Sequence, residues 1–168
     1  MKPIVSIIMG SASDLPVMGK AAKFLDEMGV PFEMKILSAH RTPAEVEAFA
    51  GGAAGRGIRV IIAGAGMSAA LPGVIAANTV LPVIGVPIKG MLDGLDALLS
   101  IVQMPPGIPT ATVGVNAAQN AAILASRMLA LGDTGLAQRL EQYKEGLKDK
   151  VVKANQALSE VKYKFKCD

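Results

Sequence analysis

The chain has 168 residues, 51% of them hydrophobic and 18% charged, with a formal net charge of +3. Globular domains usually carry about 25% charged residues, so intrinsic disorder is excluded and more apolar surface is present than one small domain normally hides. A single domain over residues 1–168 is expected, with a parallel sheet covered on both faces and apolar area left for subunit contacts.

The elements alternate along the chain. Ile4–Met9 is a β-branched run ended by Gly10-Ser11. Leu15, Met18, Ala22, Leu25 and Met28 then follow at helical spacing, and Gly29 stops the helix. Phe32–Leu37 reads as a second strand. Thr42-Pro43-Ala44-Glu45 opens the next helix, with Thr42 as N-cap, Pro43 in the first position and Glu45 completing a capping box. Ile58–Ala63 is almost wholly apolar, as a central parallel strand should be. A helix over Ser68–Thr79 and a strand over Pro82–Val86 follow. Leu92–Val102 is expected to be helical, with Asp93 and Asp96 in its first turn, where the dipole favours them. Thr110–Val115 is a fifth strand and Ala117–Leu131 an Ala-rich helix buried on most sides. Val60–Ile88 and Ala97–Ser126 are uncharged and long enough to span a bilayer. Prolines at 72, 82, 87, 105, 106 and 109 interrupt them, so both read as folded core and no membrane partner is expected.

The last segment differs. Leu136, Leu140, Tyr143, Leu147, Val151, Ala154, Leu158 and Val161 form one narrow apolar stripe on a polar helix. It would be about 39 Å long at 1.5 Å per residue, more than a small sheet needs for cover. A core over residues 1–132 and a helix over 134–162 that contacts a neighbouring subunit are therefore expected. From Arg139 onward eight basic residues stand against five acidic ones, and the rest of the chain is balanced. This reads as a solvated helix face, not a nucleic-acid site. The single cysteine, Cys167, allows no disulfide framework or cysteine-based metal site within one chain. The N-terminal apolar run is too short for a signal peptide, and a cytoplasmic setting is expected.

Five β-α repeats imply an open parallel sheet with helices on both faces, where ligands bind at the carboxyl ends of the strands. After the first strand, Gly10-Ser11-Ala12-Ser13-Asp14 offers hydroxyls, a tight turn and free N–H groups for an anion; simple N-capping by Ser13 or Asp14 serves the same residues. After the second, Ser38-Ala39-His40-Arg41 holds the chain's one histidine. His40 suits acid/base work near neutral pH, and Arg41 suits a phosphate or carboxylate. A loop histidine bonded to backbone is the plainer reading. After the third, Gly64-Ala65-Gly66-Met67-Ser68-Ala69-Ala70-Leu71 lets a ligand approach the backbone, or simply packs a helix tightly. Physics alone thus reaches a phosphate-bearing small molecule, an acid/base step by His40 and no metal.

Gly10–Asp14, Ser38–Pro43, Ala63–Gly73 and Ser100–Pro105 together resemble the PurE family, enzymes of purine biosynthesis that place a carboxylate on aminoimidazole ribonucleotide. The resemblance runs from about Ile4 to Leu131. It implies a flavodoxin-like three-layer α/β/α fold, a homo-octamer, sites built from more than one subunit, and no cofactor or metal. It implies a mutase. N5-carboxyaminoimidazole ribonucleotide loses its carboxylate as carbon dioxide, which then adds to ring carbon C4. By motif position His40 would shuttle the proton. Ser11, Asp14 and Arg41 would hold the ribose-phosphate end, while Ser38, Gly64, Ala65, Gly66 and Leu71 would line the site. A histidine can donate to N5 and later accept from C4, and a dry pocket of small residues retains carbon dioxide. The family's mutase pattern in the third loop, Gly-Gly-Ala-Ala-His-Leu-Pro-Gly, is altered here: Met67 and Ser68 replace its second Gly and first Ala, and Ala70 its histidine. Direct carboxylation of aminoimidazole ribonucleotide is therefore the alternative activity. A flavin or nucleotide carrier and a non-catalytic assembly protein are the rivals of other classes; an aromatic content of 4% without Trp leaves few stacking platforms for a flavin.

Overall fold

Residues that are apolar on both sides of a strand need cover on both faces, and the computed structural model, which describes residues 1–167, supplies it. Strands β1 (Val5–Met9), β2 (Phe32–Ile36), β3 (Val60–Gly66), β4 (Val83–Ile88) and β5 (Ala111–Thr112) form one sheet in the order β2-β1-β3-β4-β5. Every pairing is parallel. Helices α1 (Leu15–Glu27) and α5 (Ala118–Ala130) cover one face. Helices α2 (Pro43–Ala53), α3 (Leu71–Ala77) and α4 (Leu95–Val102) cover the other. This is the expected flavodoxin-like three-layer fold, closed by α6 (Thr134–Leu158).

The pleat sorts the core into two halves. Ile7 and Ile62 meet Phe24 and Leu25 of α1 and the alanines of α5. Ile8, Ile61 and Ala63 point the opposite way, toward Phe49 of α2, Ile75 of α3 and Ile101 of α4. Gly29 ends α1 at φ +65°, where its N–H and that of Val30 close the last turn onto Asp26 and Leu25.

Several elements move by two residues or more from their expected places. Strand β3 runs on to Gly66 and β4 to Ile88, so Gly64–Gly66 end a strand instead of opening a loop. Helix α4 starts at Leu95, because Leu92, Asp93 and Gly94 all have positive φ; Asp93 therefore stands outside its first turn. Helix α3 starts at Leu71, after Met67 turns at φ +56°. Strand β5 is two residues long, since it pairs only with β4 at the sheet edge. The expected Thr42 capping box is absent. The Thr42 hydroxyl accepts from the Ser38 N–H at 2.9 Å and donates to the Ser38 carbonyl at 3.1 Å, so it closes the loop before α2 instead.

The α6 stripe divides. Leu136 is buried, and the Tyr143 ring meets Phe24 edge-on at 5.0 Å, so the first three turns pack on the parent domain. Arg139 fastens them by donating to the Met28 carbonyl at 2.9 Å. Beyond Tyr143 the stripe leaves the domain, and Leu147, Val151 and Leu158 are exposed. Among the described residues no helix is long and apolar enough to cross a membrane.

Gly85 lies where β4 meets α4. A Cβ there would overlap the Ile101 Cγ2 and sit 3.4 Å from Pro72. We expect Gly85→Ala to cost about 1–3 kcal/mol, the usual penalty of overpacking. Urea unfolding checks this; an unchanged midpoint would contradict the tight β4–α4 contact.

Candidate active site

The strand order reverses between β1 and β3, and the crevice at that switch point lies at the carboxyl ends of the strands. Here the loops after β1, β2, β3 and β4 enclose a cleft of about 500 Å³.

The loop after β1 is built by a reciprocal cap. Ser11 has extended backbone, and its hydroxyl accepts from the Ser13 N–H at 3.3 Å. Asp14 accepts from the Ser11 N–H at 3.1 Å, so Ser11, not Ser13 or Asp14, is the capping residue. The Ser13 hydroxyl donates to that of Ser11 at 3.0 Å. Asp14 is buried. Desolvation by that burial raises its carboxyl above the usual range, while hydrogen bonds from the Ser11 backbone, the Ser13 hydroxyl and the Gly10 backbone pull it down less strongly.

The loop after β2 is tied to the first. Arg41 donates from Nη2 to the Gly10 carbonyl at 3.0 Å. Its N–H and Nε reach the Ser38 hydroxyl at 3.2 and 3.4 Å. A guanidinium so held bridges two strand ends and keeps N–H groups for an anion. His40, one residue before, is exposed on the cleft wall.

The end of β3, the loop after it and the start of α3 supply the small-residue floor. Ala65, Gly66, Ala69, Ala70 and Leu71 line it, with Met67 exposed at its rim. Ala70 presents only a methyl group to it.

Of the residues singled out from sequence, Ser11, Asp14, Ser38, His40, Arg41, Ala65, Gly66 and Leu71 all line this cleft. Gly64 does not. It is buried one step below, and a Cβ there would overlap the Met18 sulfur, so its smallness serves the packing of α1 on β3. Lys89 was given no role from sequence, yet it lines the cleft with Met67. The signal available for Lys89 was position, since it follows the carboxyl end of β4. Among the described residues no group of three or more His, Cys, Asp or Glu side chains comes together that could hold a metal ion.

A carboxyl whose range is raised by burial contributes stability when protonated and loses it as pH rises through that raised range. Asp14→Asn removes the charge and keeps an oxygen for the Ser11 N–H. We expect this variant to equal or exceed the parent in stability at about pH 7, with the advantage shrinking toward about pH 4. Urea midpoints across that interval check it; an advantage that grows as pH falls would contradict the assigned cause.

Comparison with known proteins places this cleft in a family. The family model described as AIR carboxylase matches residues 4–150. An N5-carboxyaminoimidazole ribonucleotide mutase of Pyrococcus horikoshii is 56% identical over 161 residues, 95% of this chain and 91% of that protein. A phosphoribosylaminoimidazole carboxylase of Saccharomyces cerevisiae is 54% identical over 164 residues, 97% of this chain but 29% of that protein. The structure of Treponema denticola PurE superimposes with a TM-score of 0.84 at 32% identity, covering 93% of this chain and 98% of that one. The chain belongs to the AIR carboxylase, or PurE, family.

Proposed function

We propose that this chain is an N5-carboxyaminoimidazole ribonucleotide mutase of purine biosynthesis, with His40 carrying the proton. The observation that supports it most is the convergence of His40, Arg41, Ser11 and Asp14 on one small-residue cleft at the switch point, in a chain 56% identical to a protein of that name.

The chemistry follows from the residue types. Arg41 and Ser11 hold the phosphate through charge and hydrogen bonds, and Asp14 accepts from ribose hydroxyls. His40 gives a proton to N5 as the N–C bond to the carboxylate breaks, which releases carbon dioxide and leaves aminoimidazole ribonucleotide. Carbon C4 then attacks the carbon dioxide, and His40 takes the C4 proton, which returns it to its starting state. Ala65, Gly66, Ala69 and Ala70 offer the trapped gas no nucleophile. Direct carboxylation of aminoimidazole ribonucleotide is the second reading. It is favoured by Ala70 and by relatives named as carboxylases.

The same reading carries a homo-octamer, with sites completed by neighbouring subunits, working in the cytoplasm. Leu95, Leu99 and Val102 support it, because they stand exposed at helical spacing on one face of α4, with Met91 and Leu92 also exposed just before it. The exposed end of α6 is a second such face.

Product formation from N5-carboxyaminoimidazole ribonucleotide at low carbon dioxide is expected to exceed that from aminoimidazole ribonucleotide with excess bicarbonate. The reverse preference would make the chain a carboxylase, and no product from either would overturn the reading. His40→Asn should lower turnover by at least about 100-fold with folding unchanged; retained turnover would refute its role. Light scattering should give an octamer for the parent and a smaller, folded species for Leu99→Asp. A monomeric parent would contradict the assembly.

A further inference from the structure

We infer that Lys89 binds the carboxylate of the substrate, at the end of the cleft away from the phosphate. The inference rests on the reading above, under which the ligand is anionic at both ends. The charged residues lining the cleft are Asp14, Arg41 and Lys89, beside His40. Arg41 is anchored between the ends of β1 and β2 by Gly10 and Ser38. That leaves the second anion to Lys89 at the end of β4.

Its placement suits the task. Gly66 and Ile88 are paired across β3 and β4, so Lys89 emerges directly beside Met67, where the small-residue floor opens. Carbon dioxide held on that floor lies between the β2 loop bearing His40 and the β4 loop bearing Lys89.

The loop is also held in a costly shape. The Lys89 N–H donates to Asn116 Oδ1 at 2.9 Å, and the Asn116 N–H donates to the Pro87 carbonyl at 2.8 Å. Asn116, Leu92 and Asp93 all sit in the left-handed region, at φ +58°, +50° and +53°. Non-glycine residues persist there only where surrounding structure fixes them, and such strain gathers at ligand sites. The Lys89 ammonium meets Asp93 Oδ1 at 2.9 Å, with both side chains mostly in solvent. An exposed pair of this kind binds weakly. An ammonium has three donors, so this pair leaves two for the carboxylate.

The test compares two ligands that differ only by that carboxylate: 4-carboxyaminoimidazole ribonucleotide and aminoimidazole ribonucleotide. Calorimetry on the full chain measures both Kd values. Lys89→Met should weaken the carboxylated ligand by roughly 10- to 100-fold, the usual cost of one charged hydrogen-bonding partner. The other ligand should change by no more than about twofold, and Lys89→Arg should recover most of the loss. A purely structural role for Lys89 would weaken both ligands alike, and that result overturns the inference. So does an unchanged ratio of the two Kd values. If the parent protein binds neither ligand, the functional reading itself falls. If the parent binds both and Lys89→Met leaves their ratio intact, only the inference about Lys89 falls.

Discussion

All five strands run in one direction, and this single constraint places everything else. Parallel strands need crossover helices, the helices cover both faces, and the covered strands must be apolar along their length. In the central strands β3 and β4 charges and hydroxyls are thereby pushed to the strand ends, whereas the edge strand β2 keeps Glu33 and Lys35 along its length. Because β1 sends its chain toward β2 on one side while β3 starts the walk on the other, the loops after β1 and β3 part at the switch point and leave a crevice. Arg41 bonds across the ends of β2 and β1, which turns two loops into one wall.

The wall is held at some cost to stability. Asp14 sits in a buried place that disfavours its charge. Among the described residues, the four non-glycine positions with positive φ are Met67, Leu92, Asp93 and Asn116. Each lies in a loop that follows the carboxyl end of β3, β4 or β5. Strain of this sort costs of order 1 kcal/mol per residue and is kept where function requires the geometry. The opposite ends of the strands carry no such residue among those described, although a larger hollow of about 1030 Å³ opens there beside Asn78, Thr79 and Thr110.

Hydrophobic period made much of this legible in the sequence. The runs at β1 and β3, the helical spacing of α1 and the glycine that stops it are local signals, and local signals survive folding. The loop motifs were legible for a related reason: in a parallel sheet, a residue just after a strand has only one edge to occupy. Thr42 misled because a hydroxyl before a helix can bond forward to the helix or backward to the loop, and Ser38 offered the backward partner. Gly64 misled because tight packing and ligand approach demand the same small residue. Only the position of Met18 separates them. The stripe on α6 reads as one surface, yet its first turns serve the parent domain and its later turns do not. A periodic pattern carries no record of where the partner surface ends.

The central claim is that the crevice at the switch point is where a phosphorylated aminoimidazole ligand reacts. A crystal structure with aminoimidazole ribonucleotide bound tests it most directly. The account requires the phosphate within hydrogen-bond distance of Ser11 and Arg41, with the imidazole ring turned toward His40 and the Gly66–Ala70 floor. A ligand seated in the hollow at the opposite end of the sheet, or one whose ring points away from His40, would contradict it.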